Sequence, residues 1–195
     1  TVALSVSKQD KPSELVHLDV NGGTEKALYN PNAEYEKNHT YTSPKHFNYK
    51  AKDGQALEGW YLPPVEAKAK NPVLLYVHGG PHAAYAESFF FEFQVYTTLG
   101  YVVVFVNTRG STTYGQAFVD DVTGHYGQRD YTDVLDGLDY ALEKFPELDE
   151  DHQYIAGGSY GGFMTTWTVG HTDRFAAAVA QRSVTNWIGM YGQSD

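Results

Sequence analysis

Ser159 stands in the run Gly157-Gly158-Ser159-Tyr160-Gly161-Gly162, where a hydroxyl is set among four glycines. Ahead of it lies the strand-type segment Tyr154-Ile155-Ala156, and a helical segment through Phe163 to Val169 follows. Between a strand and a helix, G-x-S-x-G is a nucleophile elbow. Small residues at Gly157 and Gly161 let the two elements approach, and the serine takes a strained backbone conformation that lifts its hydroxyl above the sheet. Without those flanks the same letters would describe only a tight glycine turn. A second cluster, His78-Gly79-Gly80-Pro81-His82, directly follows a strand ending at Val77. Acyl transfer needs backbone N–H groups aimed at the developing oxyanion, and glycines let the main chain come close enough to supply them. The expected donors are the N–H of Tyr160, next to the nucleophile, and that of Gly80. His78 and His82 read as groups that orient this loop through hydrogen bonds.

The elements that must carry these residues are readable from pattern. Val73-Leu74-Leu75-Tyr76-Val77 and Tyr101-Val102-Val103-Val104-Phe105-Val106 are near-continuous apolar runs, separated by a segment expected to be helical from Glu87 to Leu99. Such runs alternating with helices indicate a parallel sheet covered on both faces, an α/β fold. A further helix is expected from the spacing of Val134, Leu135, Leu138, Ala141, Leu142 and Phe145, with Asp130 or Asp133 near its start and Pro146 after it. One more strand is expected over Phe175 to Ala180. Upstream, His46 to Tyr49 and Leu57 to Leu62 flank Lys52-Asp53-Gly54 as a hairpin, and residues 30–37 read as a linker. The first 29 residues read as a three-stranded meander, too small to stand without a partner.

Composition removes several classes of function. There is no cysteine, which excludes thiol nucleophiles, disulfides and thiolate metal sites. No metal or cofactor is expected. With 14 Lys and Arg against 24 Asp and Glu the net charge is −10, and no basic run could neutralise a phosphate backbone, so nucleic acid is not an expected partner. The longest apolar stretches fall far short of the roughly 18–20 residues that span a bilayer, and a cytoplasmic chain with no membrane partner is expected. Thr1 opens the sequence without an initiator Met or a signal-type segment, as a fragment or a processed start would.

Taken together, His78 to His82, Asn107-Thr108-Arg109-Gly110-Ser111 with Tyr114-Gly115, the segment from Tyr126-Gly127 to Asp133, Gly157 to Gly162, and Gln181-Arg182-Ser183-Val184-Thr185-Asn186-Trp187 resemble the prolyl oligopeptidase family of serine peptidases. The branch they most resemble holds the acylaminoacyl peptidases and bacterial dipeptidyl peptidases. The resemblance implies a partial α/β-hydrolase fold preceded by the last strands of a β-propeller, with residues 1–35 as the end of the last blade and 36–195 as the N-terminal part of the catalytic domain. It implies that Ser159 is the nucleophile, that Tyr160 and Gly80 supply oxyanion donors, that Trp187 lines the substrate pocket for the residue before the cut, and that Arg109 holds a loop by ion pairing. The implied substrate is a short peptide.

One departure matters. Hydrolases of this type place the acid and the histidine of the triad after the serine, on loops following later strands. Only 36 residues follow Ser159, and of the eight histidines only His171 lies among them. It would sit about 18 Å away along the helix that starts at Ser159. The chain is therefore expected to end before its acid and base, to be inactive alone, and to need the missing C-terminal half, as another chain or in the full gene product. A homo-oligomer is left open. Two other readings are a carboxylesterase of the same fold, since the elbow does not choose between amides and esters, and an interaction fragment without activity.

Overall fold

The computed structural model describes residues 1–194. Strands β1 (Val2–Lys8), β2 (Lys11–Leu18) and β3 (Glu25–Tyr29) form the antiparallel meander, in that order. Its residues are mostly exposed, with Glu14 and Val16 buried. The segment read as a linker carries one helical turn, α1 (Ala33–Glu36). Asn30 organises it, its side chain accepting from the Asn32 N–H and donating to Glu36.

Beyond it, β4 (Lys45–Lys50), β5 (Ala56–Leu62), β6 (Asn71–Val77), β7 (Val102–Asn107), β8 (Leu148–Gly158) and β9 (Ala177–Gln181) make a six-stranded mixed sheet in the order β4-β5-β7-β6-β8-β9. The β4–β5 hairpin and the β5–β7 pair are antiparallel; β7, β6, β8 and β9 run parallel. Alternate residues of the apolar runs bury on opposite faces, as the pleat requires. Val102, Val104 and Val106 join Val73, Leu75 and Val77 under helices α4 (Arg129–Lys144) and α5 (Tyr160–Val169), while Val103 and Phe105 join Leu74, Tyr76 and Trp60 against Phe93 of α2 (Phe91–Thr98). The fold is thus the expected one, an α/β structure with the first strands of a hydrolase-type sheet and a separate antiparallel meander.

Three boundaries differ from expectation. Helix α2 begins at Phe91 rather than Glu87, because the main chain before it bonds outward. Tyr85 exchanges two hydrogen bonds with the Asn107 side chain, and the Phe89 N–H donates to Ser7 Oγ. Strand β8 spans 11 residues rather than three: Leu148 and Asp149 at its start pair with Asn71 and Pro72 of β6, and Glu150 to His152 bulge out before pairing resumes at Gln153 opposite Val73. Strand β9 runs from Ala177 to Gln181 rather than from Phe175 to Ala180, whereas helix α5 begins directly after the serine, as the elbow requires. The short helices α3 (Gln116–Asp120) and α6 (Trp187–Gln193) complete the list of helices among the described residues.

Gln94, 4% exposed, joins the two sheets. Its amide accepts from the Thr42 N–H and donates to the carbonyls of Thr42 and of Gln9, which lies in the β1–β2 turn. The Gln9 side chain in turn donates to Ala86 O.

Candidate active site

The elbow is built by contacts that only glycine permits. Ser159 has φ 60° and ψ −119°, a left-handed conformation that a non-glycine residue adopts at a cost of roughly 1–3 kcal/mol unless its surroundings impose it. They do impose it. A Cβ on Gly157 would lie 2.5 Å from the Gly161 carbonyl oxygen, and one on Gly161 would lie 2.0 Å from that of Val77. Strand β8, helix α5 and strand β6 are therefore in backbone contact around the serine. The Ser159 N–H donates to Gln181 O of β9 at 3.0 Å, and its carbonyl accepts from the Phe163 N–H at 3.0 Å, so the main chain is tied on both sides. Tyr160 is the first residue of α5, where backbone N–H groups have no partner within the helix and are free to meet an anion.

The glycine loop lies against the serine. The position of a Cβ on Gly79 is 3.3 Å from Ser159 Cβ and 3.8 Å from its Oγ. Gly80, next in the chain, has φ 119°, and a Cβ there would come within 2.5 Å of the His82 backbone nitrogen. The two histidines hold this loop. His78 places one ring nitrogen, Nδ1, 2.7 Å from Gly79 O and the other, Nε2, 2.9 Å from Ser111 Oγ. Because a carbonyl can only accept, Nδ1 carries the proton and Nε2 accepts from the serine. Burial holds this imidazole below its ordinary pKa, partly offset by the bond to Gly79. His82 donates from Nδ1 to Gly110 O at 3.0 Å. No imidazole hydrogen-bonds Ser159 Oγ among the described residues.

Ser111 and Gly110 belong to the loop after β7, which Arg109 anchors. This buried guanidinium makes a two-pronged contact with Asp133 of α4, at 2.9 and 2.5 Å, and reaches Asp53 of the β4–β5 turn at 2.5 Å. Burial alone would lower the pKa of the guanidinium; pairing with Asp133 and Asp53 outweighs it and raises it further. The architectural ion pairing expected of Arg109 is present, and Asp133 is one of the two carboxylates marked at the start of this helix. The other, Asp130, accepts from the Tyr160 phenol, a contact that sequence reasoning missed because the residues lie 30 apart.

Ser159 opens into a cavity of about 280 Å³ walled by His78, Gly79, Tyr76, Tyr85, Phe93 and Arg182. Gln9 also lines it, so the meander contributes to the same space. Arg182, with φ 41°, packs its guanidinium over Gly158, where a Cβ would meet Nη2 at 2.7 Å. Trp187 is outside the lining of this cavity. It stacks on Tyr126 with ring centres 5.2 Å apart and meets Phe163 of α5 edge-on at 5.2 Å. The arrangement brings together a half-buried serine hydroxyl, the amino end of α5, a glycine loop and a cavity, with an aromatic face beside them. No group of acidic residues and histidines able to hold a metal occurs among the described residues, and no helix of the described chain is long and apolar enough to cross a membrane.

Comparison with known proteins agrees with this geometry. Over 193 residues the chain is 46% identical to an uncharacterised peptidase of Bacillus subtilis (strain 168), YuxL, covering 98% of this chain and 29% of that protein. A dipeptidyl-peptidase 5 of Porphyromonas gingivalis is 33% identical over 151 residues, 75% of this chain and 22% of its own length. Among solved structures, the Pyrococcus horikoshii acylaminoacyl peptidase superposes with a TM-score of 0.90 at 34% identity, over 97% of this chain and 30% of that one. A structure of an acylaminoacyl peptidase in complex with Z-Gly-Gly-Phe-chloromethyl ketone gives the same TM-score at 35% identity and the same coverage. The chain therefore spans less than a third of these relatives. Residues 87–195 match the prolyl oligopeptidase family, and with the strained serine and its glycine loop in place, this chain belongs to that family.

Proposed function

We propose that the protein is a serine peptidase that cleaves short peptides through an acyl-enzyme on Ser159, of the acylaminoacyl or dipeptidyl peptidase type. The observation that carries this reading is the left-handed Ser159, held between backbones in glycine-only contacts with the Gly79–Gly80 loop beside its hydroxyl. In the proposed reaction Oγ attacks the scissile carbonyl, and the N–H groups of Tyr160 and Gly80 receive the negative charge that develops on its oxygen. Collapse of the tetrahedral species expels the amine and leaves the acyl group on Ser159, which water then releases. The proton of Oγ needs a base, and His78, the imidazole nearest the loop in sequence, has both ring nitrogens engaged elsewhere. We place that base and its acid outside these 195 residues, with residues 1–35 as the end of a preceding β-propeller and 36–195 as the first part of the catalytic domain. The likeness to relatives more than three times as long supports this placement. On the same reading the 195 residues alone do not turn over substrate. Trp187, with Tyr126 and Phe163, is proposed to receive an aromatic or bulky side chain of the substrate.

The test is Ser159→Ala in the complete enzyme. Turnover of an acyl-peptide anilide should fall on the order of a million-fold, as removal of a serine nucleophile commonly does. A fluorophosphonate probe should label the wild type at this serine and fail to label the variant; labelling that persists would place the nucleophile elsewhere.

A further inference from the structure

In the proposed reaction the backbone N–H of Tyr160 serves the oxyanion, while its side chain is engaged in the interior. Tyr160 is 2% exposed, and its phenol donates to Oδ2 of Asp130, which is wholly buried near the start of α4. The same carboxylate accepts from the Gly127 N–H at 3.0 Å and from the Tyr131 N–H at 3.0 Å. No cation pairs with Asp130 among the described residues, so its charge is met by these three donors and by the amino end of the helix. Burial, and then the neighbouring Asp130 charge, push the Tyr160 phenol well above its ordinary value, which keeps it a donor throughout the neutral range.

The other end of this network is the aromatic face. Gly127, with φ 82°, lies so close to Trp167 that a Cβ would come within 2.6 Å of its ring. Tyr126, one residue earlier, sets its ring 5.6 Å from that of Tyr160 and stacks on Trp187. Moving the Gly127 N–H off Asp130 would thus move Tyr126, and with it the surface on which Trp187 rests.

We infer that Asp130 is a positioning residue, one buried carboxylate that fixes both the Tyr160 N–H at the oxyanion site and the Tyr126–Trp187 face that receives the substrate side chain. This rests on the reading of Ser159 as nucleophile. It adds that alignment of the oxyanion donor and choice of substrate side chain are set by one group that touches neither.

Two variants of the complete enzyme test it, with kcat expressed per site titrated by a fluorophosphonate so that misfolded protein does not count. Tyr160→Phe removes only the phenol: kcat should fall about tenfold with KM unchanged, and the preference for a Phe over an Ala anilide should be retained. Asp130→Asn keeps the size but has one acceptor oxygen for three donors: kcat should fall about 100-fold, and the Phe/Ala preference should shift at least about fivefold. Combined, the two should cost no more than Asp130→Asn alone, since they break one network. A kcat within twofold of wild type in both variants, with the label still on Ser159, overturns the inference alone. A lowered kcat in Asp130→Asn with an unshifted Phe/Ala preference overturns the claim on the aromatic face. Should Asp130→Asn fail to fold, Tyr160→Phe decides, and an unchanged kcat there overturns the inference. A label mapped to another serine overturns both the inference and the reading beneath it.

Discussion

Gly161→Ala adds a single methyl group at the tightest point of the elbow, and its cost can be worked from the contacts around it. The new Cβ would stand 2.0 Å from the Val77 carbonyl oxygen, 2.8 Å from the Val77 carbonyl carbon and 2.9 Å from the His78 carbonyl oxygen. All three are backbone atoms in or beside a central strand, so none can swing aside as a side-chain end could. Relief requires α5 and β6 to separate by more than about 1 Å, since carbon and oxygen resist approach much below ordinary van der Waals contact. Overpacking of this kind commonly costs about 1–3 kcal/mol, and a rigid backbone on both sides places this case at the upper end. The same displacement carries Tyr160 away from the Gly79–Gly80 loop. A misplacement of about 1 Å at a reacting centre can lower kcat on the order of 100-fold. Gly170→Ala is the internal control: it sits at the other end of the same helix, where a Cβ would find the Trp167 and Thr166 carbonyl oxygens at 3.4 and 3.5 Å, ordinary contacts. Urea unfolding followed by tryptophan fluorescence, together with the rate of fluorophosphonate labelling, measures both effects. If Gly161→Ala unfolds at the same denaturant concentration as Gly170→Ala and labels at the wild-type rate, the elbow is not the rigid device described here.

Gly80→Val should lower kcat far more than it raises KM, by the roughly 2.7–4 kcal/mol typical of one lost oxyanion donor, because φ 119° is closed to valine and the loop must refold; steady-state kinetics decide it, and an unchanged kcat would move the second donor elsewhere. His78 supplies a pH dependence. Burial depresses its folded pKa, so its contribution to stability is complete above the ordinary histidine value of about 6.5 and is lost as pH falls from there towards the depressed folded value, at up to about 1.4 kcal/mol per pH unit. Unfolding midpoints measured across that window should flatten in His78→Gln, and an equal slope in both proteins would refute the assignment.

Much of this was legible in the letters because the relevant signals are local. The glycines of the elbow, the paired glycines after Val77 and the β-branched runs of β6 and β7 each state their own conformational demand, and the order of elements followed from them. What was not legible depends on partners far away in sequence. Nothing local distinguishes Asp130 from Asp133, three residues further along the same helix: one binds a phenol 30 residues later, the other a guanidinium 24 residues earlier. The start of α2 was misplaced because Phe89 and Tyr85 give their hydrogen bonds to Ser7 and Asn107 instead of to a helical turn. The polar start of β8 carries no apolar alternation and is tied to the sheet only at Leu148 and Asp149, which pair with Asn71 and Pro72 of β6.

The position of Gln9 has a consequence for how such a protein can be divided. A cut near residue 36 follows the change in character of the sequence, yet it would take away a side chain that lines the space above Ser159 and the carbonyl that the buried Gln94 grips from the other side of the cut. The unit of inheritance suggested by the sheets and the unit that walls the cavity at Ser159 therefore do not coincide. Recombination between relatives that exchanged the six-stranded sheet alone would join it to a foreign turn, and the shape of the enclosed space would change with no alteration in the sheet that carries the serine.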